Sequence, residues 1–275
     1  MNESNGFIAK AGPLRIACPF DLLVGKYLDK VLENRLHLEI GMNGEILERF
    51  TMEDFKEVAE LLMSHNLSVT VHAPFTDLPL GSINSSIRRT AIFIQKQAID
   101  VACMFNVPQM VIHTGFDPKH HGAPDPGWAA RLTESVKELM DYTTLAGHGL
   151  VLAMENTFEH DPSLHHMLFS RIRRPELGFC FDMAHQVVFS TSTLDTWLGG
   201  LCGERLVELH LHDNHGQEDE HLAVGHGVLD FDALFHWLKV RGMRPVLTIE
   251  AHDENAVLPA IKAVEKYVKK YLDGP

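Results

Sequence analysis

Two stretches of this sequence, LVLAMEN at residues 150–156 and LGFCFDMAH at residues 177–185, share one pattern: an apolar run ends in a carboxylate. A short continuous apolar run fits a parallel strand that is buried on both faces. A strand with a polar side chain at its carboxyl end, followed by a helix and another such strand, is the unit from which a (β/α)8 barrel collects a site at one rim. The pattern therefore predicts such a barrel.

The same unit recurs along the whole chain of 275 residues. Apolar residues between the strands, such as Ile87, Ala91 and Ile94, recur every three or four positions and predict helices with one stripe against the sheet. The repetition favours an α/β fold, a single (β/α)8 TIM barrel domain over residues 14–275, with residues 1–13 as an N-terminal tail. No GxGxxG follows the first strand, which argues against a dinucleotide-binding open sheet. The predicted strands are Leu14–Pro19, Leu36–Gly41, Ser68–Ala73, Gln109–His113, Leu150–Glu155, Leu177–Asp182, Leu206–His212 and Pro245–Glu250.

Charge and composition restrict the function classes. The formal net charge is −13, and the sequence lacks the clustered cations of a nucleic-acid-binding protein, which disfavours such a partner without excluding it. No apolar run approaches the ~20 residues of a membrane-spanning helix. The start shows no secretory signal pattern, so we expect a cytoplasmic protein without a membrane partner. The four cysteines are far apart, which disfavours a disulfide framework and a thiolate metal site. The sequence predicts no particular oligomeric state.

Nine residues of metal-ligand type lie at or just after the predicted strand ends. A lone histidine there more often forms a hydrogen bond than binds a metal, but neighbouring barrel strands bring such residues to the same rim. A carboxylate that follows an apolar run is costly to bury unless it is paired or metal-bound. Histidine and carboxylate without thiolate suit Zn²⁺, Mn²⁺, Co²⁺ or Fe²⁺, so we expect one to three divalent ions per chain, Zn²⁺ or Mn²⁺ above all. The nine residues are His72, His113, Glu155, Asp182, His185, His210, Asp219, His221 and Glu250.

The seventh strand leaves one choice open. His210 and His212 alternate along it and point to the same face, so either could be the inward ligand. The loop that follows contains the tripeptide GHG at residues 225–227, whose backbone N–H groups could help to hold a phosphate. The other histidines, including His215 and His252, are assigned to surface or rim positions.

A set of short motifs in a fixed order resembles a known superfamily. The strings VHAPF, VIHTG, MENT, CFDMAH, LHLHDN, DEH with GHG, and IEAH are similar to those of the xylose-isomerase-like TIM barrels, which also include endonuclease IV. In the endonuclease branch the resemblance implies three metals: His72, His113 and Glu155 for the first; Glu155, Asp182, His210 and Glu250 for the second; and His185, Asp219 and His221 for the third. In the sugar isomerase and epimerase branch it implies one ion, commonly Mn²⁺, on the second set.

This chain also departs from both branches. Its first strand, RIACP at residues 15–19, lacks the Gly-x-His-x-Ser start of endonuclease IV, and Phe75 stands where that family has a tyrosine. The ketose 3-epimerases have an arginine shortly after the histidine of the seventh strand, and this sequence has none there. The ligand positions therefore resemble the superfamily more closely than either reaction.

The loops after the strands favour an isomerase. They contain no Lys or Arg at residues 156–163, 186–193, 214–230 and 251–255, whereas a duplex-binding protein needs several phosphate contacts. We therefore expect a metal-dependent sugar or sugar phosphate isomerase or epimerase. In it, Glu155 and Glu250 exchange a proton next to a carbonyl, and His185 polarises the carbonyl oxygen.

Two other functions stay open. One is an endonuclease IV-like phosphodiesterase that acts on abasic DNA with three metals. The other is a barrel that binds a metal–sugar ligand without chemistry, which is less favoured because open coordination at a strand-end cluster usually accompanies catalysis.

Overall fold

A computed structural model describes residues 14–145 and 149–273, and it contains a closed barrel of eight parallel strands in sequence order. The predicted (β/α)8 fold is confirmed. The predicted tail at residues 1–13 lies outside the described residues. The strands are β1 Leu14–Pro19, β2 His37–Gly41, β3 Val69–His72, β4 Gln109–His113, β5 Val151–Glu155, β6 Leu177–Asp182, β7 Leu206–Leu211 and β8 Val246–Ile249.

Helices connect the strands on the outside of the barrel. Two π-helical segments, Leu23–Tyr27 and Val268–Leu272, adjoin α-helices near the two ends of the described chain. Thr51 caps one of the longer helices with a capping box, in which its hydroxyl accepts from the backbone N–H of Asp54 and the Asp54 carboxylate accepts from the backbone N–H of Thr51. The α-helices are α1 Phe20–Leu22, α2 Leu28–Asn34, α3 Gly44–Arg49, α4 Met52–Ser64, α5 Ser85–Met104, α6 Pro118–His121, α7 Pro126–Leu145, α8 Ser163–Arg171, α9 Met183–Phe189, α10 Leu194–Trp197, α11 Gly200–Glu204, α12 Phe231–Arg241 and α13 Glu254–Tyr267.

The main apolar core lies between the strands and the helices. Its largest members include Phe20, Phe55, Phe179 and Trp197, all of which are buried. Burying side chains of this size contributes about 1.5–3 kcal/mol each to the free energy of folding. Among the described residues, no helix is both long and apolar enough to cross a bilayer. The apolar runs of the sequence form the strands of the barrel.

The inside of the barrel is more polar than the packed branched side chains common in this fold. We name its buried polar side chains the interior polar layer. Two carboxylates belong to it: Glu208 accepts hydrogen bonds from Gln109 and Thr248, and Glu39 accepts one from Thr70. Burial, followed by the charge of Glu39, raises the pKa of Glu208 to about 8. The interior polar layer consists of Arg15, Glu39, Thr70, Gln109, Glu208 and Thr248.

Candidate metal centre

The parallel register brings the candidate ligands to one rim. His113 at the end of β4 pairs with Glu155 at the end of β5, and Asp182 at the end of β6 pairs with His210 on β7. Glu250 follows β8 by one residue, and its backbone N–H still donates to the carbonyl oxygen of Leu211. Residues that are far apart along the chain therefore meet because their strands end at the same edge of the barrel.

Three side chains from β3, β4 and β5 form the first cluster. Oε2 of Glu155 lies 3.2 Å from Nε2 of His72 and 2.9 Å from Nε2 of His113, and the two nitrogens are 3.1 Å apart. Nδ1 of His72 lies 2.9 Å from the carbonyl oxygen of Ala73, which can only accept, so Nε2 is the nitrogen left for an ion. Ligands of a tetrahedral zinc ion are separated by about 3.4 Å. The cluster has the dimensions of a metal site.

A second cluster lies at the outer rim and has the same design. Oδ2 of Asp219 lies 3.3 Å from Nε2 of His185 and 3.1 Å from Nε2 of His221. The Nδ1 atoms of both histidines face backbone carbonyl oxygens, that of Asn156 for His185 and that of Glu250 for His221. Each Nδ1 therefore donates its hydrogen to a backbone carbonyl, so each Nε2 is the nitrogen left to bind an ion. His221 has a φ of 52°, an unusual backbone conformation for a histidine that turns its ring towards this point.

The third group lies between these two clusters and is centred on His210. Nδ1 of His210 is 3.4 Å from Oε1 of Glu155 and 3.3 Å from Oε1 of Glu250, and it is buried without a hydrogen-bond partner. Asp182 is connected to this group through His212, since its Oδ2 lies 2.8 Å from Nε2 of His212, and that nitrogen lies 3.8 Å from Oε2 of Glu250. Carboxylate oxygens on two sides of an unpartnered imidazole nitrogen are a donor set that fits a divalent cation.

The sequence left open whether His210 or His212 is the inward residue. In the structure both face inward, His210 from β7 and His212 from the position just after it. His210 points to Glu155 and Glu250, whereas Nε2 of His212 lies 2.8 Å from Oδ2 of Asp182. The ring of His212 stacks on that of His221 at 3.9 Å with an angle of 6°. Because an ion lies in the plane of each imidazole that binds it, two parallel rings cannot share one ion in this arrangement. His212 is better placed to orient Asp182.

The residues assigned to the rim divide into two cases. His215 is exposed and contacts Glu220, as expected of a surface histidine. His252 stacks on the other face of His221, at 3.6 Å with an angle of 13°, and extends the imidazole stack towards solvent. Its contact with a candidate ligand was missed, because nothing in the string IEAH indicates that the ring after β8 turns back to the loop after β7.

The electrostatics of the clusters follow from the close approach of acids and imidazoles. Burial alone would raise the pKa of Glu155, but the imidazoles of His210 and His113 hold it well below its usual range. For Asp219 the imidazoles of His185 and His221 likewise outweigh burial and lower the pKa. Both carboxylates are therefore anionic at neutral pH, which is the form that binds a cation.

The loop after β7 is held by a single buried carboxylate. Asp213 accepts from the backbone N–H groups of Asn214, Gly225, Gly227 and Leu229, at 2.8 to 3.2 Å. The N–H of His226 donates to the carbonyl oxygen of Ala223. The expectation that residues 225–227 offer these N–H groups to a phosphate is therefore wrong, because each is already bonded within the protein. A side chain at Gly227 would also collide with Asp213 and Asn214.

We expect Asp213→Asn to lower the free energy of unfolding by about 2–4 kcal/mol, because an amide replaces one accepting oxygen by a donor that faces backbone N–H groups. Urea unfolding measures the loss. Asp230→Asn is the matched control, since the exposed Asp230 caps α12 through one N–H and asparagine caps equally well. Equal losses in both variants would contradict the importance of this loop anchor.

Phenylalanine rings lie next to the first and the second cluster. The half-exposed ring of Phe75 stacks on His113 at 4.5 Å and meets the ring of His72 edge-on. Phe158, also half-exposed, packs on Phe189, which lies 5.8 Å from the ring of His185. The rim therefore presents apolar ring surface next to candidate ligands.

Comparison with known proteins agrees with the motifs and the barrel. Residues 37–271 match the family described as xylose isomerase-like TIM barrel. The chain belongs to this family. The resemblance indicated by the ordered motifs is confirmed.

One relative and two solved structures illustrate the similarity at the level of individual proteins. MJ1614, an uncharacterized protein of Methanocaldococcus jannaschii, is 26% identical over 210 residues, which are 74% of this chain and 77% of that protein. A D-tagatose 3-epimerase-like protein superposes with a TM-score of 0.80 at 21% identity and covers 94% of this chain and 98% of its own. The TTHB071 protein of Thermus thermophilus, from a crystal soaked with ZnCl2, has a TM-score of 0.74 at 25% identity, with 95% and 99% covered.

The xylose isomerase-like barrel also contains a residue near the clusters that the sequence reasoning missed. Glu39 lies below the rim with Oε1 3.2 Å from Nε2 of His210. A signal was present, because Glu39 interrupts the apolar strand HLEIG at residues 37–41. A buried acid inside a strand needs a partner, and this one faces a candidate ligand.

Proposed function

We propose that this protein is a divalent-metal-dependent isomerase or epimerase for a small neutral sugar, with its reaction centre at Glu155, Asp182, His210 and Glu250. The observation that supports this most is His210, whose two ring nitrogens are buried without a hydrogen-bond partner and whose Nδ1 lies 3.4 Å from Oε1 of Glu155 and 3.3 Å from Oε1 of Glu250. A divalent ion held there would supply a Lewis acid that polarises a carbonyl group and stabilises negative charge on its oxygen. Zn²⁺ or Mn²⁺ suits these donors.

The two glutamates are assigned to proton transfer. Glu155 comes from β5 and Glu250 from the end of β8, so they approach His210 from different parts of the barrel wall. One carboxylate takes the proton from the carbon next to the carbonyl, and the other returns a proton to the opposite face or to the neighbouring carbon. Return to the same carbon from the other side inverts it, which is epimerisation. Return to the former carbonyl carbon, together with transfer of the proton of the neighbouring hydroxyl to the former carbonyl oxygen, moves the carbonyl to the neighbouring carbon, which is isomerisation.

His185 is assigned to the outer cluster rather than to the carbonyl. Its Nδ1–H faces the carbonyl oxygen of Asn156, so only Nε2 is free, and this atom points to Asp219. One nitrogen cannot both bind an outer ion and polarise a substrate oxygen. We propose that His185, Asp219 and His221 hold a further ion, and that the polarising role belongs to the ion at His210.

The rim supports a neutral substrate over a phosphorylated one. The backbone N–H groups at residues 225–227 already donate hydrogen bonds within their loop. The loops at residues 156–163, 186–193, 214–230 and 251–255 contain no Lys or Arg. The exposed rings of Phe75 and Phe158 offer apolar surface instead. Such rings suit the C–H faces of a sugar better than the charge of a phosphate.

The phosphodiesterase alternative has one observation in its favour. The outer histidines His185 and His221, which a one-ion isomerase does not need, lie with Asp219 in a cluster of metal-site dimensions. In that mechanism a water made nucleophilic by the ions attacks phosphorus. The cation-free mouth loops favour the isomerase, because binding of duplex DNA depends on phosphate contacts from Lys and Arg.

We expect the protein, purified with its native metal, to exchange solvent deuterium into a ketose at the carbon next to the carbonyl. Proton NMR of a panel of unphosphorylated ketoses in D2O measures this exchange. The same preparation is expected to bind an abasic-site duplex weakly and to show little salt dependence. Nanomolar cleavage of that duplex with a steep salt dependence, and no deuterium in any sugar, would assign the phosphodiesterase function instead.

A further inference from the structure

One member of the interior polar layer reaches the proposed reaction centre from below. Glu39 on β2 has no exposed surface, and its Oε1 lies 3.2 Å from Nε2 of His210. Its other oxygen accepts a hydrogen bond from Thr70. A buried carboxylate is costly unless its oxygens are paired, so the position of Glu39 against an imidazole calls for a specific reason.

Both nitrogens of His210 face carboxylates, and both are buried without a hydrogen-bond partner. Nε2 faces Glu39 inside the barrel, whereas Nδ1 faces Glu155 and Glu250 at the rim. In a neutral imidazole only one nitrogen carries hydrogen, and a carboxylate next to one nitrogen selects the tautomer with hydrogen on that side. Carboxylates face both nitrogens, but an ion held by Glu155 and Glu250 would take up the Nδ1 lone pair, and the hydrogen then lies on Nε2 next to Glu39.

We propose that Glu39 is a positioning residue that fixes the Nε2–H tautomer and the ring orientation of His210, and so prepares Nδ1 to bind the ion of the reaction centre. This inference rests on the proposed function, since it takes His210 as a ligand. Metal-binding histidines commonly donate their second N–H to a carboxylate, which orients the ring and increases its basicity. In this protein the carboxylate comes from β2, which is not a neighbour of β7 in the barrel and reaches it across the interior.

Other members of the interior polar layer provide a comparison within the same protein. Both oxygens of Glu208 accept hydrogen bonds from Gln109 and Thr248, and Glu208 is as deeply buried as Glu39. A Glu→Gln change at position 208 therefore alters the same kind of buried group without removing the oxygen that faces Nε2 of His210. Because donor atoms of Glu39, Glu208 and His210 all lie within 4.8 Å of one another, Glu208→Gln tests whether any carboxyl close to His210 has the same effect as the one that faces Nε2.

The test measures metal affinity and tautomer in Glu39→Leu, Glu39→Gln and Glu208→Gln. Competition with a chromophoric chelator, using Zn²⁺ and Mn²⁺ alone, gives the dissociation constants, and His210→Ala identifies the binding step that belongs to the central ion. We expect Glu39→Leu to weaken that step about 10- to 100-fold, Glu39→Gln to retain part of the affinity because its amide oxygen still accepts, and Glu208→Gln to change it least.

The tautomer is measured with Zn²⁺ bound, because without an ion carboxylates face both nitrogens of His210. Long-range ¹H–¹⁵N correlation spectra of the Zn²⁺-loaded protein, with His210 assigned from the His210→Gln spectrum, are expected to show an Nε2–H that hydrogen bonding shifts downfield in the wild type and, to a smaller extent, in Glu39→Gln, and that moves upfield in Glu39→Leu. Thermal unfolding checks that each variant folds; if Glu39→Leu does not, Glu39→Gln and Glu208→Gln still differ in the predicted direction.

Two outcomes overturn different conclusions. If the wild type binds Zn²⁺ and Mn²⁺ at His210 but Glu39→Gln and Glu208→Gln have equal affinity and the Nε2–H of His210 has the same chemical shift in the wild type and in Glu39→Leu, the role of Glu39 is wrong and the metal centre stands. If the wild type has no binding step that His210→Ala removes, the metal-dependent function itself is wrong.

Discussion

Glu155→Gln and Glu250→Gln are each expected to lower kcat by about 10²- to 10⁴-fold, the contribution of a positioned acid or base. Glutamine keeps the size of the side chain but can neither take a proton nor offer an anionic ligand. Both carboxylates contact His210 Nδ1, so each change also weakens the proposed ion site. Steady-state rates of ketose epimerisation or isomerisation, with metal content measured on the same samples, give the two effects separately.

Two changes at the same rim serve as controls for this prediction. Glu220→Gln is a matched substitution, since Glu220 contacts only His215 among the described contacts and lies outside the three clusters. His226→Ala removes an exposed ring. Both are expected to retain most of the activity. Losses in the controls as large as those at Glu155 and Glu250 would show that the separation of reaction centre from rim is wrong.

Removal of metal is expected to abolish the activity and to destabilise the fold. Without an ion, the described contacts of the buried Glu155 carboxylate are with imidazoles, and those of Asp182 include the ring of His212 and the backbone N–H of His185. A ligand present at about 100 times its dissociation constant stabilises the folded state by about 2.7 kcal/mol, so the melting temperature should fall by several degrees after chelation. Activity assays, elemental analysis and thermal unfolding of one dialysed preparation measure all three changes.

Adding back one metal at a time to the chelated protein tests which ion it uses. Zn²⁺ or Mn²⁺ should restore both activity and melting temperature, whereas Ca²⁺ should restore neither, because mixed imidazole and carboxylate donors suit the first two ions. Full activity in a preparation whose elemental analysis finds no transition metal would exclude a metal-dependent reaction.

Much of the fold could be predicted because its signals are local. Parallel strands buried on both faces need continuous apolar runs, and the eight predicted strands agree with the observed ones to within one or two residues at their ends. The ends differ where pairing stops: His212 and Glu250 were included in strands but lie just beyond them. The candidate ligands could also be named, because a polar residue after an apolar run marks a strand end.

The contacts among those residues could not be predicted in the same way. Alternation placed His210 and His212 on one face, but it could not show that one turns to Glu155 and the other to Asp182. The phosphate role expected for residues 225–227 failed because Asp213, at the far end of the same loop, already accepts two of those N–H groups. Such pairings depend on where a loop returns, which local sequence does not encode.

The sequence by itself determined the barrel, its motif family and the identity of the candidate ligands, because strand burial and strand ends leave periodic marks in the chain. Only the tertiary structure decided how the ligands divide into three clusters, which nitrogen of each histidine is free, and that Glu39 lies against His210. The physical reason is closure of the barrel. Closure brings together side chains from strands that are distant in sequence. In each candidate histidine ligand, the acceptor next to one ring nitrogen then decides which nitrogen is left to bind an ion.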